Sequence, residues 1–219
     1  MPHYVSKISF IATFLLFISC SGNPQTDDNS LTSQERSEGW QLLFNGENLD
    51  GFHIIPGGEW SVKDGVIVGT SPASEKRHGL LVTNDQYSDF TIKVDYKALE
   101  GNSGLYFRVE KVDHVVSVRG FQAEIDAGGN DVGGLYETLG RAWVVQPDSS
   151  TIAKFYKPRQ WNTMTVTAKG RNITVTVNGF ETASLENDPG LTEGYIALQL
   201  HGSMDMHVMF KNFKIKPEA

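Results

Sequence analysis

The stretch Gly120-Phe-Gln-Ala-Glu-Ile-Asp126 alternates apolar and polar side chains. Successive side chains of a β-strand point to opposite faces of its sheet, so this alternation predicts a strand. Its apolar members would face a core, and Gln122, Glu124 and Asp126 would share the other face. Neighbours on that face lie roughly 7 Å apart, which suits a grip on a polyol or acid–base chemistry on a small ring. The plainer alternative is the solvated face of an edge strand.

Strand patterns continue on both sides of this stretch. Phe90, Ile92, Val94 and Tyr96 alternate strictly with polar residues, and Lys63-Asp-Gly65 and Asn178-Gly179 are typical of hairpin turns. No segment keeps a helical period for longer than two turns. A chain of 219 residues fits one large domain of this kind. The sequence therefore predicts an all-β fold, an antiparallel β-sandwich.

The first residues form a targeting segment. Lys7 precedes an apolar run over residues 8–18 that is shorter than the roughly 20 residues needed to cross a bilayer, and Ser19-Cys20 follows. This pattern resembles a bacterial lipoprotein signal, with residues 1–19 as the signal peptide and Cys20 as the lipidated residue. We therefore expect a protein of the bacterial cell envelope, lipid-anchored to a membrane and facing the periplasm or the cell surface.

The composition of the remaining chain indicates a tether, a core without disulfides and no nucleic-acid partner. Residues 20–38 are almost entirely polar and predict a flexible tether, which leaves residues 39–217 for the folded domain. Cys20 is the only cysteine, so the core must stand without disulfides. The net charge is −7 with no basic tract, which argues against a nucleic-acid partner.

Two further strands carry polar groups that a plain sandwich does not need. The first ends in Arg108, whose guanidinium suits bidentate contacts. In the second, residues 195–202, Gln199 and His201 share a face opposite three apolar residues. With Gln122, Glu124 and Asp126, these side chains predict a polar cleft of sugar size.

Four residues after the central strand extend this candidate site. Tyr136 and Trp143 are candidate stacking platforms for a pyranose ring, although either could simply be part of the core. Glu137 and Arg141 are candidate substrate contacts, and their four-residue spacing equally allows a local ion pair.

A set of ordered motifs over residues 39–216 resembles a known family. The motifs are Gly39-Trp-Gln-Leu-Leu-Phe-Asn-Gly46, Trp60-Ser-Val-Lys-Asp-Gly-Val-Ile-Val-Gly69, Gly101-Asn-Ser-Gly-Leu-Tyr-Phe-Arg108, the central strand, Gly133-Gly-Leu-Tyr-Glu137, Trp161-Asn162, Val177-Asn-Gly179 and Gly194-Tyr-Ile-Ala-Leu-Gln-Leu-His-Gly202. Together they are similar to the 3-keto-disaccharide hydrolases, also described as 3-keto-glucoside 1,2-lyases/3-keto-2-hydroxyglucal hydratases.

The resemblance implies a concanavalin A-like jelly roll and a substrate that is a 3-keto-glycoside. A ketone at C3 acidifies the proton on C2, so a base can remove it while the aglycone leaves C1, and water then adds to the glucal. On this mechanism Glu124 or Asp126 would be the base, and His201 the acid or a donor to the carbonyl. Arg108 would stabilise the enolate, and Gln122 and Gln199 would hold hydroxyl groups.

One departure from the family concerns the base. Many members read Glu-Val-Gln-Ile where this chain has Gln122-Ala-Glu-Ile125, so the amide and the acid have exchanged places. A divalent metal ion held by Glu124, Asp126 and His201 is chemically reasonable as a cofactor, because it could polarise the ketone. Two alternatives stay open at this point. One is a non-catalytic carbohydrate-binding lipoprotein on the same fold, and the other is a conventional glycoside hydrolase that uses two carboxylates.

Overall fold

A computed structural model describes Met1 and residues 28–218 of the chain. Residues 2–19 of the predicted signal peptide and Cys20 lie outside the described residues. The described part contains two short helices and fifteen strands, in this order: α1 (Ser33–Ser37), β1 (Gln41–Leu42), β2 (Phe52–Ile55), β3 (Glu59–Lys63), β4 (Val66–Ser71), β5 (Gly79–Tyr87), β6 (Phe90–Glu100), β7 (Asn102–Lys111), β8 (Val118–Asp126), β9 (Leu135–Thr138), β10 (Ala142–Val145), α2 (Ser149–Ile152), β11 (Asn162–Lys169), β12 (Asn172–Val177), β13 (Phe180–Leu185), β14 (Gly194–Leu200) and β15 (Met206–Pro217).

The strands form two sheets. The first sheet has the order β13-β12-β11-β6-β15-β4-β3, with β1 added on β15, and the second has the order β10-β9-β8-β7-β14-β5-β2. Every pairing is antiparallel, so the predicted antiparallel sandwich is confirmed. No helix among the described residues is long and apolar enough to span a membrane.

The core lies between the sheets and follows the predicted alternation. Strand β6 contributes Phe90, Ile92, Val94 and Tyr96, all fully buried, from the first sheet. From the second sheet, Phe121, Ala123 and Ile125 of β8 pack into the same core, together with residues of β7 and β14. Since alternate residues of β8 enter the core, Gln122 and Glu124 must face away from it, onto the outer face of the second sheet.

The two predicted hairpin turns are present. Asp64 and Gly65 have φ values of 50° and 75°, and Asn178 and Gly179 have φ values of 53° and 82°. Both pairs thus occupy the left-handed region that a two-residue type I′ turn requires. Between β6 and β7, by contrast, only Gly101 lies outside a strand, because β6 ends at Glu100 and β7 begins at Asn102.

Residues 28–38, which we call the N-terminal strap, do not behave as the predicted tether. Asn29 donates from its main-chain nitrogen to Asn212 Oδ1 (2.6 Å) and from Nδ2 to the Gly65 carbonyl (2.7 Å). Glu35 of α1 pairs with Lys214 on the outer face of the first sheet. The tether prediction is therefore corrected over this part, because three side chains of β15, those of Lys211, Asn212 and Lys214, anchor the strap to the domain.

Candidate active site on the outer face of the second sheet

A cavity of about 410 Å³ opens on the outer face of the second sheet. Strand register explains its floor, since β8 pairs Gln122 with Tyr106 of β7 on one side and with Tyr136 of β9 on the other. Residues paired across an antiparallel sheet point to the same face. The cavity is lined by His78, Asn102, Tyr106, Val116, Gln122, Glu124, Tyr136, Thr138, Leu139, Trp143, Gln199, His201 and Met204.

Glu124 is the only carboxylate among these lining residues, and it is 4% exposed. The pKa of its carboxyl is raised to about 8, chiefly by burial and to a smaller extent by the nearby charges of Asp131 and Asp126, while hydrogen bonds from Asn102 and Gln122 oppose the rise. A carboxyl with a pKa close to neutral can exchange a proton with substrate in either direction.

Gly104 makes room for the side chain that holds Glu124. A Cβ atom at this glycine would lie 2.5 Å from Cγ of Gln122, so the amide lies directly over the backbone of β7. From there Gln122 Nε2 donates to Glu124 Oε2 at 2.6 Å. Gly104 is therefore needed because any larger residue would collide with the side chain of Gln122.

A chain of amides continues from Gln122 across the floor. Gln122 Nε2 lies 3.4 Å from Gln199 Oε1, and Gln199 Nε2 lies 3.1 Å from the Tyr106 hydroxyl and 3.0 Å from His78 Nδ1. The Thr138 hydroxyl donates in turn to Tyr106 at 3.2 Å. These buried groups satisfy one another, which fixes the floor before any ligand binds.

Two histidines form one wall of the cavity. Gly79 of β5 pairs with Leu200 of β14, and this register places His78 beside His201 with ring centroids 4.3 Å apart. Burial, together with the nearby His201 and His114, lowers the pKa of His78 to about 4. Its ring is therefore neutral near pH 7. Because Gln199 Nε2 is a donor, His78 Nδ1 accepts and the ring proton lies on Nε2.

The opposite wall is aromatic. Tyr136 and Trp143 are paired residues of β9 and β10, and their rings meet edge to face with centroids 5.2 Å apart. Both were predicted as stacking platforms, and both line the cavity. The structure thus brings together six of the predicted site residues, namely Gln122, Glu124, Tyr136, Trp143, Gln199 and His201.

Arg108 does not reach the cavity, contrary to the prediction. Its φ of 49° and the register shift between Phe107 and Glu110 mark a β-bulge, which interrupts the alternation of faces. The guanidinium therefore turns to the rim of the core, where it donates to the carbonyls of Ser88 and Gly170 and to Asp89 Oδ1. At 1% exposure it ties two turns together and has no role at the site.

Asp126 is also outside the cavity. It is the last residue of β8, and its carboxylate accepts hydrogen bonds from the main-chain nitrogens of Gly128 (2.8 Å) and Asn130 (2.9 Å). The carboxylate therefore closes the turn that follows the strand. This removes Asp126 from the candidate bases.

Glu137 and Arg141 form the local ion pair that their spacing allowed, and they do not line the cavity. Tyr136 and Glu137 are adjacent in β9, so only one of them can face the site. Arg141 also makes a bidentate contact with Asp188, at 2.8 Å for each nitrogen. This network holds the β9–β10 turn against the loop that contains Asp188.

The predicted metal ligands are not gathered at one point. Within residues 28–218, no group of three or more His, Cys, Asp or Glu side chains is arranged to hold a metal ion. The carboxylate of Asp126 is engaged by its turn, and only Glu124 and His201 of the predicted set line the cavity. These residues therefore do not form a site for the divalent metal ion that the sequence suggested.

Several residues of the site escaped the sequence analysis. His78, Asn102, Tyr106 and Thr138 line the cavity but were not among the predicted site residues. The one available signal was alternation: Tyr106 lies two residues from Gly104 on β7, and Thr138 lies two residues from Tyr136 on β9. His78 precedes its strand, so no local spacing pointed to it.

Comparisons with solved structures support this fold. A crystal structure of a candidate glycosyl hydrolase from Parabacteroides distasonis is 27% identical and covers 88% of this chain and 100% of its own, with a TM-score of 0.68. The carbohydrate-binding module CBM66 of Bacillus subtilis (18% identity, 75% and 94% coverage, TM-score 0.56) shares the fold. So does the β-glucanase of Bacillus licheniformis (14% identity, 82% and 97% coverage, TM-score 0.56). The sandwich is thus concanavalin A-like.

The family assignment rests on the match to a domain model, since no curated protein sequence matches the chain. The model of the 3-keto-alpha-glucoside-1,2-lyase-like domain matches residues 39–216, which span both sheets and every residue that lines the cavity. This range also agrees with the motifs from which the resemblance was first inferred. The chain therefore belongs to the 3-keto-alpha-glucoside-1,2-lyase-like family.

Proposed function

We propose that this protein cleaves the glycosidic bond of 3-keto-glycosides by elimination followed by hydration. The observation that carries the proposal is the single buried carboxylate in the cavity, Glu124. Conventional glycoside hydrolysis needs two carboxylates about 5 to 9 Å apart on either side of the bond. Removal of a proton beside a ketone needs only one base together with donors for the enolate oxygen. Family membership supports the same reaction class.

Glu124 is the proposed base. As a carboxylate it takes the proton from C2, the C–H electrons form a double bond between C1 and C2, and the bond from C1 to the aglycone oxygen breaks. The raised pKa makes Glu124 a stronger base than an ordinary carboxylate. Water then adds hydroxide to C1 and a proton to C2, so one water is consumed and 3-keto-glucose is released.

The two histidines take complementary roles in this proposal. His201 donates a proton to the departing aglycone oxygen. His78, which is neutral and carries its proton on Nε2, donates a hydrogen bond to the C3 oxygen as negative charge develops there. This assignment replaces the enolate role predicted for Arg108. Gln122 and Gln199 hold the substrate's hydroxyl groups.

The test supplies purified protein with a 3-keto-glucoside and with the matching unoxidised glucoside in D₂O. We expect 3-keto-glucose from the first substrate only, with one deuterium at C2, corrected for exchange into 3-keto-glucose incubated alone. Cleavage of the unoxidised glucoside, or product without deuterium, would refute the mechanism. Binding of both compounds without turnover would instead favour a carbohydrate-binding protein.

The matched variants are Glu124→Gln and Asp126→Asn. Loss of a general base typically costs 10²- to 10⁴-fold in rate, so Glu124→Gln should lose about that much. Asp126→Asn keeps an acceptor for its turn and should stay within a few-fold of the wild type. Equal activity of the two variants would exclude Glu124 as the base.

A further inference from the structure

The hydroxyl group of Tyr106 lies on the floor of the cavity, at the end of a ring that the protein holds firmly. Tyr106 pairs with Gln122 of β8 and with Ala197 of β14, so its side chain stands on the outer face of the second sheet. There the ring packs in a buried apolar cluster with Leu80 and Val82 of β5 and with one valine from each of β7 and β8. Since the side chain is 1% exposed, the position of its hydroxyl is set before any ligand binds.

The carboxylate of Glu124 fixes the direction of the hydrogen bonds on this floor. In its ionised form a carboxylate can only accept, so the group of Gln122 that faces it is the NH₂. The second hydrogen of that NH₂ meets Gln199 Oε1, and the NH₂ of Gln199 therefore faces His78 Nδ1 and the Tyr106 hydroxyl. All the amide hydrogens of the two glutamines are thus used within the floor.

The oxygen of Tyr106 receives hydrogen bonds from two sides. Gln199 Nε2 donates to it at 3.1 Å, and the Thr138 hydroxyl donates to it at 3.2 Å. A phenol oxygen accepts through its lone pairs and still carries one hydrogen of its own. In the part of the chain that the structure describes, no residue accepts that hydrogen. Burial raises the pKa of the hydroxyl, so the hydrogen stays in place near pH 7 and can be donated to a ligand.

This donor lies beside two groups that the proposed reaction already uses. His78 Nδ1 and the Tyr106 hydroxyl are both hydrogen-bonded to Nε2 of Gln199. Glu124 pairs with Gly104, which lies two residues before Tyr106 on the same face of β7, so the glutamate and the tyrosine are diagonal neighbours. The ketone oxygen of the substrate lies only two bonds from the C2 atom that Glu124 deprotonates. A donor next to this base is therefore within reach of the C3 oxygen.

Resting on the proposed function, we infer that Tyr106 is a further catalytic residue, whose hydroxyl donates a hydrogen bond to the C3 oxygen, beside His78, as the enolate forms. The phenol keeps its proton throughout, because its role is to stabilise negative charge. A hydrogen bond to an ionised oxygen is stronger than one to a neutral ketone. The contribution of Tyr106 is therefore larger in the transition state than in the bound substrate, and it should affect kcat more than KM.

The test compares Tyr106→Phe with the wild type on methyl and p-nitrophenyl 3-keto-glucosides of the same anomer. Loss of one oxyanion donor typically costs about 10²- to 10³-fold in kcat, so Tyr106→Phe should lose about 10²-fold while KM changes little. The loss should be of similar size for both compounds, because the same enolate forms whichever alcohol leaves. A loss confined to the methyl compound, whose alkoxide is too basic to leave without a proton, would place the donor on the aglycone oxygen and overturn the assignment.

Two further variants separate catalysis from support of the floor. Thr138→Val removes a hydrogen bond that Tyr106 accepts and leaves the phenol in place, so it should lose no more than a few-fold in kcat. A loss as large as that of Tyr106→Phe would mean that the two hydroxyls only hold the floor together. Tyr96→Phe is the matched control, since it removes a buried phenol hydroxyl from β6 of the first sheet and should keep the wild-type kcat.

Replacement of Tyr106 by 3-fluorotyrosine tests the role without removing any group. The fluorinated phenol keeps the hydrogen bonds of the floor and is a more acidic donor, so kcat should rise. A hydroxyl with a purely structural role would leave kcat unchanged, and that result would overturn the proposal even if Tyr106→Phe failed to fold.

The outcomes distinguish this inference from the proposed function. Wild-type kcat in Tyr106→Phe, on a substrate that the wild type turns over, excludes Tyr106 as a catalytic residue and leaves the proposed reaction standing. Failure of the wild type to turn over either 3-keto-glucoside refutes the proposed function, and the role of Tyr106 falls with it.

Discussion

Replacing Glu124 by glutamine should change how the stability of the protein depends on pH. In the folded protein the pKa of this carboxyl is about 8, against an ordinary value of 4.5. Between these two values the folded state holds a proton that the unfolded state has released. Stability therefore falls as pH rises through this window, and glutamine, which does not titrate, removes that loss.

The size of the effect follows from the two pKa values. At 1.36 kcal/mol per pH unit, the loss of unfolding free energy caused by ionising Glu124 reaches roughly 5 kcal/mol once the pH exceeds both pKa values. The variant should thus gain up to about 5 kcal/mol relative to the wild type between pH 4.5 and pH 9. Any constant cost or gain of the new amide beside Gln122 cancels when the two pH values are compared.

Urea unfolding followed by tryptophan fluorescence at pH 4.5 and pH 9 measures this difference. Asp126→Asn is the control, and it should keep most of the wild-type pH dependence, because burial is the largest cause of the raised pKa of Glu124. If the free-energy difference between Glu124→Gln and the wild type were the same at both pH values, the carboxyl would be hydrated. Glu124 would then not be the poised base of the site.

The remaining predictions concern activity, the core and the strap. If Glu124 is the base, kcat/KM on a 3-keto-glucoside should rise with pH and level off above about pH 8, whereas a fall over that range would assign it the acid role. Arg108→Met should lower the free energy of unfolding by about 3 kcal/mol in urea, because three acceptors lose their donor, and the kcat of the folded fraction should not change. Trp143→Ala should raise KM severalfold with little effect on kcat, and a fall in kcat alone would contradict its role as a binding platform. Asn29→Ala should cost about 2 kcal/mol, because the side chain donates to the Gly65 carbonyl and accepts from the Asn212 main-chain nitrogen, and it should speed proteolysis before Ser33, which mass spectrometry of the fragments would detect.

The fold could be predicted because period-two alternation is a strong signal when one face of a strand is buried. Phe90 to Tyr96 and the central strand both followed it, and the type I′ turns were marked by Asp-Gly and Asn-Gly pairs. The same alternation correctly placed Gln122 with Glu124 and Gln199 with His201 in one cavity. The two-residue period was sufficient to predict that these side chains share one face of the sheet.

The errors at the site came from places where the alternation stops. Arg108 lies in a bulge with a left-handed backbone, and no glycine or asparagine marks that position in the sequence. Asp126 is the last residue of its strand, and the Gly128-Gly129-Asn130 segment that follows is typical of a turn. His78 reaches the site only through the pairing of Gly79 with Leu200, a contact between residues 121 positions apart that no local pattern encodes.

The N-terminal strap fixes where the preceding chain leaves the domain. Asp28 sits beside Lys211 and Asn212 on the outer face of the first sheet, whereas the cavity opens on the outer face of the second. If Cys20 carries a lipid, as the sequence predicts, the eight steps from Cys20 to Asp28 can span at most about 28 Å. We therefore expect a domain held close to the bilayer with its back towards the lipid, so that substrates enter from the aqueous side.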